Sequence, residues 1–140
     1  MQTFLPYPDF RESASVLDWR RLGKQRVEAL QILNILTGRS PNSRWKNHPA
    51  VLMWRGYENA LIDYMNSFIM EWKNRGYRNT MCIMKTSEII IPYWLGNEDF
   101  HAAHRSNLLR KNAEYYGRYG WKERNDLPYI WPKTRMVGVA

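Results

Sequence analysis

The sequence has almost no cysteine, no long apolar run and no charged-then-apolar start, and each absence removes a class of protein. One cysteine, Cys82, in 140 residues excludes an intramolecular disulfide framework and a cysteine-based zinc cluster, and it fits a reducing compartment. No stretch approaches the roughly 20 consecutive apolar residues that span a bilayer. The opening MQTFLPYPDF lacks the pattern of a signal peptide, so the chain reads as cytoplasmic and unprocessed, with no membrane partner. A phosphate-cradling glycine-rich loop, a GxSxG elbow and an HExxH helix are also missing. Nucleoside-triphosphatase, serine-hydrolase and zincin chemistry therefore have no support. Acidic residues are in deficit, with 13 Asp+Glu against 21 Lys+Arg and a formal net charge of +8. That imbalance favours a polyanionic partner and says nothing about fold.

What is present is apolar and aromatic. Hydrophobic residues make up 44% of the chain, with seven Trp, nine Tyr and four Phe, enough to fold one domain over residues 1–140 without disulfides or metals. Cations alternate with rings in RWKNH (44–48), EWKNRGYRN (71–79) and YYGRYGWKER (115–124). Such interleaving suits nucleic acid, because cations neutralise phosphates while rings stack on bases. It equally suits rings that fill a core beneath solvated cations.

Pro6 and Pro8 keep the first ten residues out of helix and predict an extended segment over the surface. From about Asp9 to Leu36 the spacing of Phe10, Val16, Leu17, Val27, Leu30, Leu33 and Leu36 predicts one long helix, or two with a break at Gly23. Gly38 caps its end. The polar stretch TGRSPNSRWKNHP reads as a loop whose cations contact phosphate. Asn47 or His48 caps a second helix, from about 49 to 75, with Pro49 in its first turn and a core-facing stripe from Leu52 to Trp72. Residues 77–97 read as irregular apart from a short buried run, EIIIPYWLG. A third helix runs from Asn97 to about Lys111, with Glu98 and Asp99 where the helix dipole favours anions, and an aromatic, basic tail packs against the helices.

Two constellations carry chemistry. On a continuous first helix Arg20 or Arg21, Lys24, Glu28 and Gln31 share one face, setting a lone carboxylate among cations. The stripe reads either as solvent-facing, with an ordinary Lys24–Glu28 pair, or as cations that hold a phosphate backbone while Glu28 works on the sugar or base beside them. His101 and His104, one turn apart, and His48 form the second set. No further Asp, Glu or Cys completes a metal site around them, so they read as groove-facing or capping side chains.

The strings LDWRRLGKQRVEALQIL, NHPAVLMWRGYE and HRSNLLRK, with EWKNRGYRNT and AEYYGRYGW, resemble the family of the phage pyrimidine-dimer DNA glycosylase called endonuclease V and its bacterial and phage homologues. The resemblance implies a compact all-α domain, here of about three main helices with long irregular loops. It implies attack on the sugar C1′ of a damaged nucleotide by a protein amine, then strand nicking by β-elimination, with no metal or cofactor. An α-amine suits this role because its ordinary pKa of about 7.7 to 8.0 leaves free base near neutral pH. The family's nucleophile is a small residue uncovered by removal of the initiator methionine. Gln2 is bulky and blocks that removal, so the amine is expected from Met1 or Lys24. The family's Glu next to Arg is absent from RRLGKQR, and Glu28 is the nearest carboxylate to serve as acid and base.

The expected partner is double-stranded DNA, bound by a monomer at a bacterial nucleoid or in a phage-infected cell. Its candidate contacts are Arg20, Arg21 and Arg26 on the first helix, and Arg44, Lys46 and His48 around the loop. His104, Arg105 and Arg110 on the third helix and Tyr115, Tyr116 and Arg118 in the tail complete the set. Two other readings stay open: a catalytically silent DNA-binding module on the same scaffold, and an enzyme whose Lys24, Glu28, His48 and His104 act on a nucleoside or modified base.

Overall fold

The computed structural model describes residues 1–133. Among them the order is α1 (Phe10–Val16), α2 (Trp19–Leu36), α3 (Pro49–Leu52), α4 (Glu58–Asn74), α5 (Glu98–Lys111) and α6 (Ala113–Tyr116), then a 3₁₀ turn at Gly117–Tyr119, with no strand. The fold is all-α. None of these helices is long and apolar enough to cross a membrane.

Helix starts follow local chemistry. Asp9, Asp18 and Asn97 accept backbone N–H bonds from Glu12, Arg21 and Phe100, capping α1, α2 and α5; each cap contributes about 1 kcal/mol. His48 caps α3 with Nδ1, which accepts the Ala50 N–H at 3.0 Å. The break between α1 and α2 therefore falls at Leu17–Asp18, where a capping carboxylate starts a new helix, and not at Gly23. Gly23 lies inside α2 against the ring of Trp72, as contact and not as punctuation. The helix expected over 49–75 is likewise two pieces, α3 and α4, separated by a turn at Gly56 whose φ of 86° L side chains rarely adopt.

α2 lies along α4, α1 crosses α4, and α5 leads into α6. Between them Tyr64 stacks on Phe68 with centroids 4.2 Å apart, and Trp54 meets Trp94 edge-on at 5.0 Å. Leu22, Ile32, Leu61 and Phe68 are fully buried, each contributing about 1.5–3 kcal/mol. The tail packs as expected as far as residue 133, with buried Tyr116 stacked on Trp121; its last residues, 134–140, lie outside the described residues.

Three expectations of burial fail. Val27 is exposed, because the buried face of α2 runs through Leu22, Gln25, Ala29 and Ile32 and leaves Val27 outside it. Ile90 and Ile91 in EIIIPYWLG are exposed too, and only Pro92 and Trp94 of that run reach the interior. The N-terminal segment is extended but does not run over the surface. Residues Gln2 to Pro6 are buried.

That strand has no β partner, so side chains satisfy its backbone. Phe4 N–H donates to Gln25 Oε1 at 2.7 Å, and the Tyr64 hydroxyl lies 3.0 Å from Phe4 O. Leu5 is held on both sides: its N–H donates to His104 Nδ1 and its carbonyl accepts from His101 Nδ1, both at 2.8 Å. Arg105 donates to Pro6 O at 2.7 Å. Thr3 Oγ1 accepts the indole N–H of Trp54 at 3.0 Å.

Candidate active site

The strand delivers Met1 into a cleft of about 800 Å³ whose lining includes Arg20, Arg21, Lys24 and Glu28 from α2 and Lys111 from the end of α5, with Phe4, Tyr115 and Tyr129 as its aromatic wall. Three residues proposed from sequence for chemistry, Met1, Lys24 and Glu28, thus share one cavity.

Glu28 is 9% exposed, so the polar stripe is not solvent-facing at this position. Its Oε2 accepts from Gln25 Nε2 at 2.8 Å and from the Gln2 backbone N–H at 3.4 Å. Lys24 Nζ lies 3.8 Å from the other oxygen, with its side chain 73% exposed. A buried carboxylate bonded by neutral amides and paired with one exposed cation is held in place. The N-terminal ammonium and Glu28 both reach His48: burial and the ammonium lower the pKa of the imidazole, while Glu28 raises it.

The cations around the cleft repel one another. Lys111 has its pKa lowered by burial first, then by Arg21, Arg110 and Lys24. Arg21 is partly neutralised by Asp18 at 3.2 Å. Asp18 is itself held below the usual carboxylate range, since bonds from Tyr116 and Arg21 outweigh the opposing effect of burial. Four cations, Arg20, Arg21, Lys24 and Lys111, against two carboxylates, Asp18 and Glu28, leave the cleft with a positive excess that suits an anion.

The structure separates the remaining candidates. Arg20, Arg44, Lys46 and Arg118 are exposed and remain placed to meet a backbone. Arg44 lies against the ring of Trp45 and Arg118 against Tyr115, 5.2 and 4.0 Å from the centroids. Tyr115 is half-buried in the cleft wall. Arg26 points away from the cleft, bonded to Asn79 at 2.9 Å and stacked on Trp72 at 4.3 Å.

Four candidates are occupied within the protein. His104 is 1% exposed, and burial, then repulsion from His101, lower its pKa to about 3. It is a neutral acceptor for Leu5 and faces no groove. Arg105 is buried between Glu98, Glu123 and Pro6 O, so its donors are spent before any phosphate arrives. Tyr116 is fully buried with its hydroxyl on Asp18. Arg110 donates to Asn107 and to the Asn125 carbonyl. The His101–His104 pair is likewise committed to Leu5, which accounts for the HxxH spacing without a metal.

Sequence reasoning missed Gln25, Lys111 and Tyr129. Gln25 had a signal, lying three residues before Glu28 on the same helical face. Lys111 and Tyr129 had none, because only the tertiary packing brings the end of α5 and the segment beyond it to α2.

A family model described as pyrimidine dimer DNA glycosylase matches residues 1–84. No curated protein and no solved structure matches the chain. The matched stretch carries Met1, Lys24 and Glu28, while Lys111, Tyr115 and Tyr129, which close the cleft, lie beyond it.

Proposed function

Because the chain belongs to the pyrimidine dimer DNA glycosylase family, whose members are DNA repair glycosylases, we propose that it excises a damaged base and then nicks the strand. One observation carries this reading: a buried carboxylate, Glu28, and two amine-bearing residues, Met1 and Lys24, line the same cationic cleft.

The steps follow from these groups. The amine of Met1 or Lys24, as free base, attacks C1′, and the glycosidic C1′–N bond breaks with its electron pair on the base. Glu28 takes the proton released from the new C–N bond and passes it to the departing base. The nitrogen lone pair then forms an iminium as C1′–O4′ breaks, and O4′ takes a proton from solvent. The iminium acidifies C2′, Glu28 removes that proton, and the C3′–O3′ bond breaks with the phosphate as leaving group. Hydrolysis of the imine releases the amine. Arg20, Arg21 and Lys111 hold the flanking phosphates throughout.

The test is borohydride trapping on a duplex carrying a cyclobutane thymine dimer and on one carrying an abasic site. A covalent adduct is expected on both, with peptide mapping assigning it to Met1 or Lys24. Glu28→Gln is expected to slow adduct formation by about 10²–10⁴-fold while leaving duplex affinity intact. Absence of an adduct on both duplexes overturns the reading in favour of a silent DNA binder.

A further inference from the structure

A second cavity of about 320 Å³ is also lined by Met1. It shares Met1 with the cleft, and its other lining residues include Gln31, Asn34, Ser40, Ser43 and Trp45. The two cavities differ in chemistry. The cleft has Arg20, Arg21, Lys24 and Lys111 around two carboxylates, Asp18 and Glu28, whereas the lining of the second contains no ionisable side chain. Among the described residues neither side-chain amide, of Gln31 or of Asn34, has a hydrogen-bond partner. Trp45 is 39% exposed, with Arg44 5.2 Å from its ring centroid and His48 edge-on at 5.6 Å.

We propose that this second cavity receives the nucleobase of the attacked nucleotide, with Gln31 and Asn34 reading its edge and Trp45 stacking on its face. The inference rests on the glycosylase reading above and deepens it by assigning the base its own site. The geometry of a nucleotide requires such a division. C1′ bears the base on one side and is joined through the sugar to phosphates on the other, so an amine at C1′ must stand between a base site and a phosphate site. Met1 lines both an uncharged cavity and a cationic one.

α2 itself is graded to match. Arg21, Lys24, Glu28, Gln31 and Asn34 follow one another at three- and four-residue spacing over about 20 Å of helix. The cations sit toward its N-terminal end, where the helix dipole attracts phosphate, and the neutral amides toward its C-terminal end, where the dipole repels it. Side-chain amides present a donor and an acceptor together, the complement of a base edge. An indole is the strongest common stacking surface, and every base offers it a face. The volume lies at the lower end of the range for small-molecule sites, which suits one planar ring and not a length of backbone.

Gln31→Leu, Asn34→Leu and the double variant test the assignment through equilibrium affinity for two duplexes, one with a thymine dimer and one with a tetrahydrofuran abasic analogue that has no base. The double variant is expected to lose about tenfold on the dimer duplex and less than about twofold on the abasic one. Trp45→Ala, which removes the ring without touching α2, is expected to follow the same pattern. Equal losses on both duplexes, or none on either, overturn the base site. Because the readout is binding, it decides the matter even if no borohydride adduct forms, an outcome that would sink the glycosylase chemistry separately.

Discussion

His104 is a histidine whose surroundings forbid it a charge. Its folded pKa of about 3 lies below the ordinary value near 6.5, so between those values the unfolded chain binds a proton that the folded chain refuses. Stability is then complete above about pH 6.5 and is lost as pH falls toward 3, with a ceiling on the order of 5 kcal/mol. Burial also lowers the pKa of His101, against the opposing bond to Leu5 O, and the loss has the same sign. Thermal unfolding followed from pH 7.5 down to pH 4 is expected to show a falling midpoint, with a shallower fall in His104→Asn, which keeps an acceptor for Leu5 N–H and cannot titrate. The HxxH spacing was legible in the sequence, but its role was not: the Leu5 bonds join residues 99 and 96 positions apart, and no local pattern encodes such a pairing. Glu28 was legible for the opposite reason, since a carboxylate at i+4 from Lys24 on one helix face is a local fact.

At the scale of the element, Gly23 and Asp18 exchange the roles that sequence alone suggests. A Cβ on Gly23 would approach Trp72 to 2.8 Å, so Gly23→Ala removes a flexible residue from a helix, ordinarily favourable, and forces α2 away from α4. The expected outcome is a net loss of about 1–3 kcal/mol, measured by denaturant unfolding. Trp72→Leu in the Gly23→Ala background is expected to restore part of it. Asp18 caps α2, receives the Tyr116 hydroxyl and pairs with Arg21. Asp18→Ala is therefore expected to cost more than the usual 0.5–2 kcal/mol of a lost cap, because a buried phenol is left without its acceptor. Helical periodicity located α5 and the end of α2 well, since their caps and stripes are local. It misplaced the break in the first helix and missed the one at Gly56 because glycine has two uses, turning a chain and admitting a neighbour, and the sequence writes both with the same letter.

For the whole molecule, the +8 charge separates into cations already spent and cations still free. Arg75 and Arg105 are paired with carboxylates, and Arg26 is bonded to Asn79. Arg20 and Lys111 around the cleft, with exposed Arg44, Lys46 and Arg118, remain to meet DNA, while Arg21 and Lys24 share their charge with Asp18 and Glu28. Five phosphate contacts predict that log K for duplex binding falls against log salt with a slope of about −4.5. Lys46→Ala is expected to reduce that slope by about one, whereas any effect of Arg105→Ala is expected in stability and not in slope. The burial of Gln2 to Pro6 has a last consequence, for the order of events in synthesis. The first residues made are fixed in place by some of the last, since Leu5 waits for His101 and His104 and the cleft waits for Tyr129. A ribosome-bound chain that has exposed only its first 84 residues carries the family signature and the bonds of Gln25, Trp54 and Tyr64 to Thr3 and Phe4, but Leu5 is still without its histidines, and the cavity forms as a closing step when the two distant parts of the chain meet.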